Sequence, residues 1–72
     1  MINARSTDYI DGVTTFWTTI DGQDYGVQHR NMGVVGVVNP DGEGLDISLI
    51  PPIDRLILSR LMGEINAGIY PL

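Results

Sequence analysis

Side-chain catalysis needs a nucleophile and a base within hydrogen-bond reach of one another. This 72-residue chain holds one histidine, His29, with no cysteine and no lysine. Thiol, Schiff-base and multi-histidine metal chemistry are therefore excluded by inventory. Ser48, His29 and an aspartate form the one remaining hydrolytic combination, but no nucleophile elbow or oxyanion loop surrounds Ser48. His29 reads as a packed histidine at a strand end, and no enzymatic activity is expected.

Metal and phosphate chemistry have little more to stand on. Gly42-Glu43-Gly44-Leu45-Asp46 matches the G-x-G-x-D spacing of a calcium-binding β-roll, and Asp41 adds an oxygen. One copy cannot complete a site that needs stacked repeats, and no glutamate follows at the EF-hand distance. The pairs Asp8 with Asp11 and Asp21 with Asp24 read as turn residues. Gly33-Val34-Val35-Gly36 has the letters of a nucleic-acid-binding G-x-x-G loop, without the basic residues and following helix that such a loop needs. No cofactor and no metal are expected.

Charge narrows the partners. Nine acidic residues against four arginines give a net charge of −5, and a basic face is what displaces counterions from phosphate. Direct nucleic-acid binding is not expected, whereas a basic protein partner fits. Met32–Val38, the longest apolar or glycine run, is far too short to span a bilayer. With no basic segment leading into an apolar run near Met1, a soluble, cytoplasmic protein without a membrane partner is the expectation.

Trp17 is the strongest functional clue. It lies in Val13–Ile20, VTTFWTTI, almost wholly β-branched or aromatic and so the strongest strand in the chain. Asp21-Gly22 predicts a type I′ turn, and Gln23–Arg30 returns antiparallel. With a two-residue loop, Ile20 pairs with Gln23, Phe16 with Val27 and Trp17 with Gly26. Phe16, Ile20, Tyr25 and Val27 then share a core face with Thr14, Thr18 and His29. Trp17 falls on the other face with Val13, Thr15, Thr19, Asp24, Gly26, Gln28 and Arg30. Three roles are open to it: an anchor for a partner or planar ligand, with Thr15, Thr19, Asp24, Gln28 and Arg30 around it; a contact between two copies; or a local cover for the backbone at Gly26.

The remaining elements must position that face. Residues 1–11 read as a loose lead-in ending at the Asp11-Gly12 turn. Met32–Val38 reads as a third strand and Leu45–Ile50, LDISLI, as a fourth, joined through the loop Asn39–Gly44. Pairing Val38 with Leu45 would put Val34, Gly36, Val38, Leu45, Ile47 and Leu49 on one face, with Ile47 above Gly36, and leave Val35, Val37 and Ile50 on the other. Pro51-Pro52 opens a helix with Asp54 in its first turn, and Gly68 can cap it. The stripe Ile53, Leu56, Ile57, Leu61 and Ile65 has helical spacing, and Leu58 and Met62 lie outside it. In the tail, residues 66–72, the helix stops at Asn66-Ala67-Gly68, and Ile69-Tyr70-Pro71-Leu72 is apolar enough to dock on its own sheet or on a neighbour.

The expected architecture is one α+β domain over residues 1–72: a four-stranded antiparallel sheet of two hairpins, with one C-terminal helix packed across the face bearing Phe16, Val27, Val34, Ile47 and Leu49. A domain this small buries only about 60% of its unfolded surface, so oligomerisation is an expected staple. Val35, Val37, Leu58, Met62 and Tyr70 are the surplus apolar residues expected at a homodimer interface. Function is expected to be that of a small acidic interaction module that binds and inhibits or adapts a larger protein, as short phage and mobile-element products do. The alternative is an oligomer that binds or sequesters a nucleotide-like ligand, Trp17 stacking on it while Gln28 and Arg30 make polar contacts.

Overall fold

The computed structural model describes residues 6–30 and 33–68, the side chains of residues 6 and 7 excepted. Two Asp-Gly pairs set the sheet. Asp21 and Gly22 have φ of 52° and 80°, and Asp11 and Gly12 repeat them at 53° and 79°. Positive φ at both positions of a two-residue loop is the type I′ geometry, which matches strand twist. Three strands follow from these turns: β1 (Ser6–Ile10), β2 (Val13–Ile20) and β3 (Gln23–Arg30). With β4 (Gly33–Val38) they form a four-stranded antiparallel sheet in the order β1-β2-β3-β4. The helix α1 (Pro52–Asn66) completes the α+β fold.

The β2–β3 register is the predicted one, with Ile20↔Gln23, Phe16↔Val27 and Trp17↔Gly26. The fourth strand, however, comes from the opposite end of the chain. Residues 6–10 of the expected lead-in pair with β2 from Ser6↔Trp17 to Ile10↔Val13. Leu45–Ile50 is not a strand: after an isolated bridge between Val38 and Gly44, Ile47–Leu49 forms a 3₁₀ turn. Asp46 is the cause. Its carboxylate accepts from the Ser48 backbone N–H at 3.0 Å and the Ser48 hydroxyl at 2.7 Å, a local capping arrangement that competes with a ladder. The same two bonds hold the Asp46 carboxyl below the usual carboxylate range.

Within the sheet, β4 carries a register shift. Gln28 pairs with Gly36 and His29 with Val34, so Val35 is the extra residue. A bulge of this kind reverses side-chain parity beyond it. Val37 is thereby only 2% exposed and belongs to the core that Val34 packs against, rather than to the opposite face. Among the described residues Gly36 has no bulky residue above it, since a Cβ there would meet none of their atoms within 4 Å.

The helix turns Leu61 and Ile65 of the predicted stripe inward, with Ile57 partly buried beside them, but leaves its N-terminal members outside. Leu58, Leu61 and Ile65 are its buried residues, and they pack with Phe16, Ile20, Tyr25, Val27, Val37 and Ile50. Ile53 and Leu56 lie outside, 72% and 73% exposed. The predicted stripe and the buried set share Leu61 and Ile65 and both have helical spacing, so periodicity does not choose between them. A polar contact does: the Tyr25 hydroxyl donates to the Asp54 carboxylate at 2.6 Å and turns that side of α1 toward the sheet. Leu58 and Val37 are therefore covered by their own chain and offer no surface to a second one. Met62 is half-buried against the core, Val35 is 60% exposed, and Tyr70 lies outside the described residues.

Candidate functional site: the helix-free face of the sheet

α1 covers one side of the sheet, and Trp17 stands on the other. Gly26 faces it across the β2–β3 ladder. A Cβ on Gly26 would come within 2.9 Å of Trp17 Cζ3, 3.0 Å of Trp17 Cη2 and 2.8 Å of the Thr15 methyl. The benzo end of the indole thus occupies the space a side chain at 26 would need. The other end is tied down by Nε1, which donates to Asp8 of β1 at 2.8 Å. The ring therefore reaches from the first strand to the third, fixed at both ends.

The flanking residues divide by strand end. Toward the Asp21-Gly22 turn, the Thr19 hydroxyl donates to Asp24 at 2.5 Å across the ladder. Thr15 is buried, Gln28 is half-buried and Arg30 is exposed. The expected constellation of Trp17, Thr15, Thr19, Asp24, Gln28 and Arg30 shares one face by register, with Trp17 and Thr15 both pressed on Gly26. Ile10, 68% exposed, adds an apolar group on the same face of β1. Asp8 and Ile10 were missed because β1 reads as irregular. The signal was present, since a two-residue turn at Asp11-Gly12 places Asp8 opposite Thr15.

No protein-family model, curated protein or solved structure matches this chain.

Ser48 and His29 stand on separate elements. Ser48 lies in the 3₁₀ turn with its hydroxyl donating to Asp46, while His29 is 6% exposed among the buried residues of the sheet. The acidic loop is organised by Asn39, whose side-chain oxygen accepts from the backbone of Asp41 at 3.0 Å and of Glu43 at 2.9 Å. Its amide donates to the Glu43 carboxylate at 3.2 Å. Among the described residues, no three histidine, cysteine or acidic side chains converge as metal ligands. Between the 3₁₀ turn and α1 there is a cleft of about 100 Å³ lined by Val37, Ile47, Ile50, Leu58, Ser59, Met62 and Arg55. That volume suits a side chain rather than a nucleotide, and Trp17, Gln28 and Arg30 take no part in it. Among the described residues no helix is long and apolar enough to cross a membrane.

Proposed function

We propose that this chain is a small acidic interaction module that binds and inhibits or adapts a larger protein through the helix-free face of its sheet. The observation that carries the reading is the immobilised tryptophan. An aromatic side chain already fixed between Asp8 and Gly26 loses little conformational entropy when a partner covers it, and tryptophan and arginine, the types enriched at binding hot spots, both lie on this face. The net charge of −5 steers encounter toward a basic surface.

The test is capture of a partner from the natural host's lysate on immobilised protein, comparing wild type with Trp17→Ala and Thr19→Arg. Both variants are expected to lose the partner while keeping the wild-type circular dichroism spectrum. Thr19 is exposed, so its replacement adds bulk and charge to the face without opening the core. Undiminished capture by Thr19→Arg would remove this face from the function.

A further inference from the structure

Four of the seven large apolar side chains exposed among the described residues gather on α1 and the 3₁₀ turn: Ile47, Leu49, Ile53 and Leu56. Leu49 is 81% exposed, and Leu56 and Ile53 are nearly as open. Single exposed leucines are ordinary on small proteins, but a cluster of this kind marks an interaction surface. The same helix surface also carries depressions. Ser59 and Gly63, both exposed, lie four residues apart and so one above the other. Among the described residues a Cβ at Gly63 would meet nothing within 4 Å, so none of their contacts accounts for a glycine inside this helix.

Charge and size select the occupant. Asp54, Arg55, Arg60 and Glu64 make α1 neutral, which leaves the whole net charge of −5 on the rest of the chain. Two copies can therefore approach through this helix with less like-charge repulsion than they meet elsewhere, Asp46 at the cap of the 3₁₀ turn being the nearest acidic group outside it in sequence. A stable interface removes about 800 Å² from each partner, roughly a sixth of the 4632 Å² this chain exposes. The molecule measures 27 × 26 × 19 Å, so a broad face, about 700 Å² in plan, reaches that scale whereas a strand edge falls well short.

We propose that α1 and the 3₁₀ turn form the interface of a homodimer, a second copy packing face to face with the two helices antiparallel. In this pairing the two-fold axis passes near Ser59, and Leu56 of each helix lies over Gly63 of the other. Projection and depression then occur on the same face at equal distances from the axis, which is what an interface related by two-fold symmetry requires. The Trp17 face stays free on the outside of both copies.

The full chain, measured by sedimentation equilibrium, is expected to have the mass of a dimer at tens of micromolar. Leu56→Asp is expected to weaken association by about 100-fold with an unchanged circular dichroism spectrum, whereas Thr19→Arg stays dimeric. Because the chain has no cysteine, a single Ser59→Cys is expected to give a disulfide-linked dimer on mild oxidation and Thr19→Cys to give none. A wild-type monomer at several hundred micromolar, a dimer unaffected by Leu56→Asp, or failure of Ser59→Cys to cross-link would each overturn the proposal.

Discussion

Gly26 and Trp17 form one structural unit although they lie on different strands. The indole fills the space where Gly26 lacks a side chain, so the aromatic group owes its fixed position to the smallest residue in the row. Gly26→Ala must push the ring or the Thr15 methyl aside, at a cost of about 1–3 kcal/mol for an overpacked contact. Chemical denaturation will read that loss, and tryptophan emission will shift as the ring leaves Asp8. At this scale the site was partly legible in the chain. The Asp-Gly turn fixes Trp17 opposite Gly26 by counting alone, whereas the bond to Asp8 requires recognising STDYI as a strand. Its polar composition hid the strand because it is an edge with little to bury.

The elements were legible where turn chemistry and composition agreed, as in β2 and β3, and misleading where they did not. LDISLI alternates like a strand, yet Asp46 and Ser48 bond locally and leave Leu49 exposed. A run of valines cannot report a bulge, since Val35 and Val37 look alike until the ladder slips at Gln28/His29. The helix offered two apolar stripes, and its rotation follows from Tyr25 and Asp54. That contact has a pH signature. Burial, then the hydrogen bond to Asp54 and its negative charge, push the Tyr25 hydroxyl from its ordinary 10.0 up to about 12. The folded state thus holds the proton more tightly than the unfolded chain does. The associated stability is complete below pH 10 and is lost as pH rises toward 12. Tyr25→Phe is expected to lower stability by about 1 kcal/mol at neutral pH and to remove the part of the alkaline decline owed to this hydroxyl. Denaturant titrations from pH 7 to pH 12 will separate the two effects.

The whole molecule is a sheet with two differently finished sides. One carries the helix and the proposed self-association surface, and the other carries the immobilised tryptophan. A dimer joined through α1 would display two Trp17 faces pointing outward, so a partner with repeated sites would be held by both at once, with a gain in avidity and no new contact. The strand order β1-β2-β3-β4 has a further consequence, in time rather than in space. Every strand pairs with its neighbour in sequence, and all three connections are two residues long, two of them Asp-Gly turns. Loops so short cost little entropy to close, and chains dominated by local contacts fold fast. The hairpin centred on Asp21-Gly22 is the expected nucleus, with α1 expected to dock afterwards. In stopped-flow experiments followed by Trp17 fluorescence, Gly22→Ala, which strains a residue at φ 80°, is expected to slow folding. Leu58→Ala is expected to act mainly by speeding unfolding, the outcome that late docking of α1 requires.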